Sequence, residues 1–553
     1  MQQKYIVRAL FLAALGVLFW GLTQMKEPGA PEAQPVALPR SSGLSGDGAA
    51  AGSAARAGSA FETDETLAYA TAAQRAALTV PGEVLLRFAS REAYNAFLAE
   101  ARRQGLTILG EQPRLNTLRL LGDPDEFGPW YEPFQRDAEA FVNVPVLLPP
   151  FAEDTNLPEF GDGSGAGSFG TSALSAIGVP SDNAGWGAGV TVAVLDMLVG
   201  PHSALEGAQV TYLDPIPAGA SPIDGGHGTA VASLVLGNGT LGINGVAPSA
   251  TVLSLPVLDA EGNGDAFTLA NAIVRAVDAG ADIINMSLGS YADSPVILDA
   301  VRYAADRDVV LVAAAGNDGS GALLYPAAYD EVISVAAADV NEQAAFFSNF
   351  GVGLDVTAPG VGVIAGGTGD DATLFSGSSA GAPLVSGLAA RILEVEPTAS
   401  AEDVAELIVS FANDTGPPGV DIQSGGGFVN AQTIFERETP GIFDAAVADI
   451  YVDPVESTET VAALTFTVQN RGTEPLRDVE LITVVDGLEV PFFFEELIPG
   501  QTDLRILELD RATLTDEDGA RIEAVALPAD RVDDRRSNNL RATQLRLIET
   551  AAE

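Results

Sequence analysis

Between residues 172 and 436, short uninterrupted apolar segments alternate with stretches that have helical periodicity. The apolar segments are 190–196, 251–258, 282–288, 309–317 and 332–338. Helices fit between them, among them GTAVASLVLG, DAFTLANAIVRAVDAG and SPVILDAVRYAADRD. A strand that is apolar at every position is expected in a sheet that is buried on both faces. We therefore predict that residues 172–436 form an α/β domain with a parallel sheet.

A smaller unit precedes this domain, at residues 81–150. The predicted strands are EVLLRF, LTILGEQ, NTLRLLG and FVNVPVLLPP, the first helix is SREAYNAFLAEARRQG, and a second helix is placed within residues 123–140. The order βαββαβ predicts a small two-layer α+β fold. A Gly/Ser-rich stretch, 159–170, separates it from the α/β domain.

The chain changes character again after Pro440. The segment VAALTFTVQNRGTEPLRDVELITVVDG alternates apolar and polar residues and contains the turn Asp486-Gly487. Alternation at period two with an Asp-Gly turn indicates an antiparallel hairpin. We predict an all-β sandwich over residues 445–550.

The N-terminal residues carry an export pattern. Lys4 and Arg8 precede an apolar stretch from Ala9 to Leu22. That length suits the core of a signal peptide and is short for a membrane span. Residues 1–25 are predicted to be a signal peptide or a signal anchor, with a buried soluble helix as the alternative. Residues 26–80, rich in Pro, Ala, Gly and Ser, are a predicted flexible linker.

Charge and composition exclude several classes of function. The chain has 75 acidic and 28 basic residues, a formal net charge of −47, and no cysteine. Residues 151–450 contain five arginines and no lysine. Such a surface repels phosphate backbones and anionic lipid, which makes nucleic acid a poor partner. The lack of cysteine excludes disulfides, thiol catalysis and thiolate metal sites.

His227 is one of only two histidines and lies between Gly226 and Gly228, before an apolar helical run. An imidazole at the N-terminus of a helix lies at the positive end of the helix dipole, which disfavours its protonated form. A neutral imidazole suits a catalytic proton acceptor, and the glycines leave room for a partner. A histidine that caps a helix in a tight turn would have the same sequence.

Three other residues could join His227. Asp196 ends an apolar strand, where α/β sheets place ligands and catalytic groups, although a turn aspartate is also common there. Ser379 begins a helix, with Pro383 in a position that suits the first turn, so it is either an exposed hydroxyl beside backbone N–H groups or a helix cap. Asn317 ends a strand and is either an oxyanion donor or a turn residue.

The order Asp196, His227, Asn317, Ser379 resembles that of the subtilisin-like (S8) serine peptidases. Segments that look like those of the family occur in family order: GVTVAVLD, HGTAVAS, GVAPSATVLSLPVLD, INMSLG, AAAGN, FSNFG, LDVTAPG and GFVNA. The resemblance covers residues 172–436. It implies that Ser379 is the nucleophile, His227 the base, Asp196 its orienting acid and Asn317 an oxyanion-hole donor.

The resemblance also implies a substrate groove and a specificity pocket. Two predicted edge strands would pair with an extended peptide; they consist of Ser287, Leu288 and Gly289, and of Gly262, Asn263 and Gly264. Asp318 and Leu324 are expected near the first pocket, where the leucine would favour small or medium side chains. Catalysis needs no cofactor. Structural calcium is frequent in the family, its site here is unknown, and a calcium loop through Asp259, Glu261 and Asp265 is the less favoured interpretation of that stretch.

The chain departs from the family pattern beside two of these residues. Met197 and Leu198 follow Asp196, where the family usually has Thr or Ser and then Gly. The change removes a hydroxyl that could help hold the carboxylate. Near the nucleophile, Ser378 replaces the usual Thr, and residues 380–381 are Ala-Gly in place of Met-Ala.

The flanking units resemble a propeptide and a CARDB-type sandwich. The first would act as chaperone and inhibitor, and its last strand, near FVNVPVLLPP, would leave through the substrate groove; an unrelated binding domain is the alternative. The predicted function is an exported serine endopeptidase, secreted, periplasmic or at the cell surface, that cleaves polypeptides and removes its own propeptide. The alternative is an inactive scaffold that binds surfaces through its sandwich. We expect a monomer that contacts a membrane only through residues 5–22, before maturation.

Overall fold

The computed structural model describes residues 79–149, 167–213, 226–453, 455–512, 520–529 and 531–545. The predicted signal segment, nearly all of the linker 26–80 and most of the Gly/Ser-rich stretch 159–170 lie outside these residues. Within the described ranges, no helix combines the length and the hydropathy needed to cross a bilayer.

The N-terminal domain is a four-stranded antiparallel sheet with one helix. Its elements are β1 (Glu83–Phe88), α1 (Arg91–Gln104), β2 (Ile108–Gln112), β3 (Thr117–Leu121) and β4 (Ala138–Val142). The strand order is β2-β3-β1-β4. Helix α1 is capped by Ser90, whose side chain accepts a hydrogen bond from Ala93 N, and it ends at Gly105 in the left-handed conformation.

The second helix expected within 123–140 is replaced by two single 3-10 turns, Pro124–Glu126 and Glu132–Phe134. Prolines explain the difference, because Pro124, Pro129 and Pro133 each lack the N–H that a continuous α-helix needs. The last predicted strand is also divided. After β4, the chain leaves the sheet and forms β5 (Pro145–Leu147) against a different part of the molecule.

The central domain is built on a seven-stranded, all-parallel sheet. The helices and strands of this domain are α2 (Ala173–Ala176), β6 (Thr191–Asp196), β7 (Gln209–Tyr212), α3 (Gly226–Leu236), β8 (Thr251–Pro256), β9 (Asn263–Asp265), α4 (Ala266–Asp278), β10 (Ile283–Met286), α5 (Pro295–Ala305), β11 (Val310–Ala314), β12 (Ile333–Ala338), β13 (Val356–Pro359), β14 (Val363–Gly366), β15 (Ala372–Phe375), α6 (Ser378–Val395), α7 (Ala401–Ser410) and α8 (Ala431–Glu436). The order in the sheet is β13-β12-β11-β10-β6-β8-β7, and β14 and β15 form a separate hairpin.

The continuous apolar strands are explained by burial on both faces. In β6, Val192 and Val194 face a core shared with α3 and α6, whereas Ala193 and Leu195 face a second core shared with α4 and α5. Each strand residue therefore has a helix layer to pack against, and the predicted α/β class is confirmed.

The strand order reverses between β6 and β10. The chain passes from β6 to β7 and β8 on one side, then crosses to β10 and continues through β11, β12 and β13 on the other side. At such a switch point, the two connections leave in opposite directions and open a crevice outside the carboxyl ends of the strands. Asp196 and Ser287 lie at this crevice, at the end of β6 and directly after β10.

The C-terminal domain consists of two antiparallel sheets that share one core. The strands are β16 (Ala445–Asp453), β17 (Val461–Asn470), β18 (Leu476–Val485), β19 (Leu488–Leu497), β20 (Thr502–Asp510), β21 (Ala520–Pro528) and β22 (Leu540–Leu545). The sheet orders are β16-β17-β20 and β19-β18-β21-β22. The predicted hairpin joins β18 and β19, and its turn places Asp486 and Gly487 at φ of 47° and 82°. An Asp-Gly pair suits a turn with two positive φ angles.

Polar groups join the sandwich to the central domain. Asp449 of β16 accepts hydrogen bonds from Gln343 Nε2 at 3.1 Å and from Gly416 N at 3.0 Å. Gln469 of β17 accepts one from Asp414 N at 3.1 Å. Burial raises the pKa of Asp414 to about 6 from its ordinary value of 3.8, and the nearby Asp421 adds to the effect. The contact between the two domains therefore contains a carboxyl group whose ionisation is unfavourable in the folded state.

We expect Asp414→Asn to stabilise the protein at about pH 8 by up to roughly 3 kcal/mol. A carboxyl whose pKa is raised in the folded state contributes its full stabilisation at pH values below its pKa in the unfolded state. This contribution is lost as the pH rises through the pKa of the folded state, here between 3.8 and about 6. The amide stays neutral throughout. Urea unfolding at about pH 8 and about pH 4 measures the difference, which should vanish at the lower pH. The exposed Asp330→Asn is the control, and an equal gain at both pH values would contradict the assignment.

Candidate active site

Four segments bring the predicted site residues to the crevice at the switch point. Asp196 is the last residue of β6, and His227 and Ser379 are the second residues of α3 and α6. Asn317 follows β11. Helices α3 and α6 pack against each other and start at this end of the sheet. All four side chains are buried.

Asp196 and His227 are in direct contact. His227 Nδ1 lies 2.7 Å from Asp196 Oδ1. A carboxylate only accepts hydrogen bonds, so Nδ1 carries the hydrogen, and in the neutral ring the lone pair is on Nε2. The arrangement fixes the tautomer that a general base at Nε2 requires.

The carboxylate of Asp196 is held less completely than it could be. Its Oδ1 also accepts a hydrogen bond from Met197 N at 2.7 Å. Its Oδ2 is buried and has no hydrogen-bond partner among the described residues. The side chain of Met197 has no hydroxyl and cannot donate to that oxygen.

Phe375, which the sequence analysis did not single out, contacts the imidazole. The rings of Phe375 and His227 are 5.1 Å apart at 78°, an edge-to-face geometry. Phe375 ends β15, four residues before Ser379, and is buried. Its position close to the serine motif was the available sequence signal.

Ser379 is connected to the segment that follows β10. Its Oγ donates to Ser287 O at 3.3 Å, and Ser287 Oγ donates to Ser379 O at 3.1 Å. Asn285 Nδ2 donates in turn to Ser287 Oγ at 3.1 Å. Strand β10 and the residue that follows it thereby position the serine backbone and hydroxyl.

Pro383 explains why the carbonyl of Ser379 is available to Ser287. Pro383 is the sixth residue of α6, so the expectation that it lies in the first turn was wrong. It stands four residues after Ser379 and lacks the N–H that would bond the Ser379 carbonyl within the helix. The Ser287 hydroxyl supplies that hydrogen bond instead.

Asn317 is oriented by the residue before the serine. Its Oδ1 accepts hydrogen bonds from Ser378 N at 2.8 Å and from Ser378 Oγ at 2.9 Å. Because the oxygen is held there, the Nδ2 group is left to face the start of α6. Gly377, at φ 126°, makes room for it, since a Cβ on Gly377 would lie 2.7 Å from Asn317 Nδ2. Ser378 thus retains the hydroxyl of the threonine usual in the family and uses it to orient Asn317.

Strand β5 of the N-terminal domain lies between the two predicted groove segments. It pairs antiparallel with β9, with Leu147 opposite Asn263 and Val146 opposite Gly264. On its other side, Leu147 N donates to Gly289 O at 2.8 Å, and Gly289 N donates to Leu147 O at 2.9 Å. The two segments therefore bind an extended chain by strand addition on both edges.

The six predicted groove residues are not equivalent. Gly289 and Gly262 bond the backbone of β5, the latter through a hydrogen bond of 3.0 Å from Leu148 N to Gly262 O. Ser287 contacts Ser379. Leu288 is fully buried in the core formed with α4 and α5. Its side chain serves the fold, and only its backbone belongs to the edge.

The acidic residues around β9 do not fit a calcium ion. Asp265 caps α4 through Thr268 N, and its other oxygen accepts a hydrogen bond from Arg119 Nη1 at 3.1 Å. Asp259 Oδ1 accepts hydrogen bonds from the backbone N–H of Glu261 and Asn263. A guanidinium group in contact with the carboxylate opposes a cation. No group of three or more potential metal ligands is found within the described ranges.

Leu324 borders the space between the segments that follow β10 and β11. A Cβ on Gly289 would lie 2.7 Å from Leu324 Cβ, and a Cβ on Gly316 would lie 2.9 Å from Leu324 Cγ. Asp318 lies further out, where both of its oxygens accept from Tyr291 Oη at 3.0 Å. Burial, assisted by Asp318, raises the pKa of Tyr291 to about 12.

Sequence comparison gives one family for the central domain. Residues 187–427 match the Subtilase family. Subtilisin Savinase of Lederbergia lenta is 37% identical over 251 residues, which are 44% of this chain and 90% of that protein. The alkaline protease of Shouchella clausii is also 37% identical over 251 residues, and this chain spans 64% of its length.

Further similarities involve the same region. The thermophilic serine proteinase of Bacillus sp. (strain AK1) is 40% identical over 208 residues, 37% of this chain and 52% of that protein. A structure of the protease domain of PatA is 31% identical, covers 46% of this chain and 97% of that chain, and has a TM-score of 0.43. With nine-tenths of Subtilisin Savinase matched at this identity, the chain belongs to the subtilase family and is a subtilisin-like serine endopeptidase.

Proposed function

We propose that Asp196, His227 and Ser379 form the catalytic triad of this peptidase. The observation that carries the proposal is the buried contact of 2.7 Å between His227 Nδ1 and Asp196 Oδ1. This contact leaves a basic Nε2 on a histidine that starts a helix packed against the helix of Ser379. Met197, where the family usually has Thr or Ser, leaves this contact intact, which supports the proposal.

The chemistry is acyl transfer through an ester. Ser379 Oγ attacks the carbonyl carbon of the substrate while His227 Nε2 takes its proton, and His227 then gives the proton to the leaving amine. Water repeats the sequence on the acyl-enzyme. Asp196 stabilises the imidazolium that forms in both steps. The hydrogen bond from Ser379 Oγ to Ser287 O, 3.3 Å long, is lost when the hydroxyl turns to its substrate.

A fluorophosphonate probe tests the proposal directly, because it reacts only with a serine activated by a base. After an added protease has removed the N-terminal domain, the parent protein is expected to be labelled once, on the peptide that contains Ser379. The competing possibility is a protein that binds surfaces through its sandwich while the peptidase domain is idle. Such a protein would remain unlabelled, and its full chain would migrate like that of the Ser379→Ala variant.

Asn317 Nδ2 and the N–H of Ser379 are proposed to bind the oxyanion of the tetrahedral intermediate. The support is the pair of hydrogen bonds from Ser378, of 2.8 and 2.9 Å, that hold the opposite end of the amide. A donor that is fixed before the reaction stabilises developing charge without reorganisation.

Asn317→Ala is expected to lower kcat by about 10²–10³-fold, the loss known for the equivalent donor in subtilisin. KM should change little, because the oxyanion exists only in the transition state and the intermediate. Steady-state kinetics on a peptide anilide measures both constants, with the remote Asn341→Ala as control. A rise in KM at unchanged kcat would assign Asn317 to ground-state binding instead.

We propose that Leu324 limits the side chain accepted beside the cleaved bond. Leu324→Ala is expected to raise kcat/KM for phenylalanine relative to alanine at that position by about tenfold, since the removed carbons leave space for the ring. The neighbouring Leu323→Ala is the control, because Leu323 is also buried but packs in a small cluster with Ala315, Ala336 and Leu354. A peptide library read by mass spectrometry gives the profile, and an unchanged preference in Leu324→Ala would rule this role out.

The N-terminal domain is proposed to be an inhibitory propeptide of an exported enzyme. Its support is β5, which occupies both edges of the groove. Ion pairs complete the contact: Arg119 Nη1 with Asp265 Oδ2 at 3.1 Å, and Arg87 Nη1 with Asp299 Oδ2 at 3.0 Å. Export through residues 1–25, removal of this domain by the enzyme itself and a monomeric mature form complete the proposed function.

A further inference from the structure

The register of β5 determines which residue faces the nucleophile. Leu147 exchanges two backbone hydrogen bonds with Gly289. In an antiparallel pair, each step of two residues forward on one strand meets a step of two backward on the other. Residue 149 therefore stands opposite Ser287, whose carbonyl oxygen is 3.3 Å from Ser379 Oγ.

The residue in that place is Pro149, which is buried, and the next residue in the sequence is Pro150. Proline has no N–H, so Pro149 cannot donate to Ser287 O as a paired residue would. Its ring also fixes φ near −65°, whereas an antiparallel strand prefers about −140°. The regular pairing of β5 correspondingly ends at Leu147.

We propose that the Pro149–Pro150 bond makes this segment a cleavage-resistant inhibitor of its own active site. The inference rests on the proposed function, since it concerns the bond that Ser379 would attack. If the Pro149–Pro150 bond resists cleavage, maturation must cut a different bond. The mature chain therefore does not begin at residue 150.

The chemistry of the step explains the resistance. Cleavage would break the bond between the Pro149 carbonyl carbon and Pro150 N, form an ester with Ser379 Oγ, and move the serine proton through His227 to Pro150 N. In Pro150 that nitrogen bears a third carbon, the ring Cδ, where other residues carry hydrogen. A tertiary nitrogen of this kind is a more crowded proton acceptor than the nitrogen of any other residue, and the ring of Pro149 prevents the pairing that would align the carbonyl.

The test replaces the proline ring and reads where the chain is cut. Full-length parent, Pro150→Ala and Pro149→Ala/Pro150→Ala proteins are purified together with the Ser379→Ala form of each, and fragment masses are measured over time. Pro150→Ala should yield a fragment that ends at residue 149, at a rate roughly 10²-fold above the parent, because the leaving nitrogen loses the ring that hinders its protonation by a general acid. The double variant should be at least as fast, and the Ser379→Ala forms should give no such fragment.

Pro129→Ala is the matched control, because Pro129 is an exposed proline of the same domain. It should give the fragment pattern of the parent. The proposal is overturned if parent and Pro150→Ala yield equal amounts of the fragment ending at residue 149, whether both or neither form it, while both are labelled by fluorophosphonate at Ser379 once an added protease has removed the N-terminal domain. A parent that stays unlabelled after that removal would overturn the proposed function itself, and this inference with it.

Discussion

Ser379→Ala is expected to hydrolyse a peptide anilide about 10⁶-fold more slowly than the parent, the scale of loss known for the nucleophile of subtilisin. The methyl side chain cannot form the ester, so the imidazole has no hydroxyl to deprotonate. The oxyanion donors and the groove remain, and they should leave a residual rate about 10³–10⁴-fold above that of water alone. Initial rates with the parent and with Ser379→Ala, after removal of the N-terminal domain by an added protease, measure the effect.

The control for this variant is Ser175→Ala, because the Ser175 hydroxyl bonds only its own local backbone at Ser172 O. It should retain parental activity. A Ser379→Ala enzyme that still turned over within an order of magnitude of the parent would show that a different nucleophile carries the reaction. The full-length Ser379→Ala chain should also keep its N-terminal domain.

Asp196→Asn is expected to lower kcat by about 10⁴-fold, as the corresponding change does in another serine peptidase. The amide lacks the negative charge that stabilises the imidazolium, and its NH2 group can donate to His227 Nδ1. In that case the hydrogen moves to Nε2, where the ring can no longer accept the serine proton. Because Asp196 is fully buried, water cannot take over the stabilisation of the imidazolium, and this adds to the loss of kcat.

Circular dichroism and fluorophosphonate labelling separate this effect from unfolding. The Asp196→Asn protein should keep the parental near-UV spectrum, while the rate of labelling falls along with kcat. Exposed Asp330→Asn should leave both unchanged. Labelling at the parental rate would mean that Asp196 has no part in activating the serine.

The main features of the fold follow from local patterns. The apolar segments of the central domain are buried on both faces, and those patterns depend only on which residues are adjacent in sequence. Two predictions about helices were wrong, and prolines explain both. Pro124, Pro129 and Pro133 interrupt the helix expected within 123–140, and Pro383 lies deeper in α6 than its usual role predicts.

The candidate site could be predicted as residue types and order, but its contacts could not. The closeness of Phe375 to Ser379 in the sequence marks it as a candidate, but no local pattern shows that it lies against His227 or that Ser378 holds the amide of Asn317. The calcium alternative depends on a contact of the same kind, because Arg119, whose charge opposes a cation at Asp265, comes from a separate domain. Contacts between distant segments depend on how the elements pack, which no local pattern contains.

Propensity, periodicity and side-chain chemistry are local properties, and they were enough to predict the class of the central domain, the turn between β18 and β19 and the residues proposed for acyl transfer. The packing of distant segments accounts for the rest: among the described residues Asp196 Oδ2 has no hydrogen-bond partner, Ser287 bonds the carbonyl freed by Pro383, and β5 fills the groove with Pro149 opposite Ser287. Each of these depends on the register or close approach of segments far apart in the chain, and register is set by the packing of whole elements.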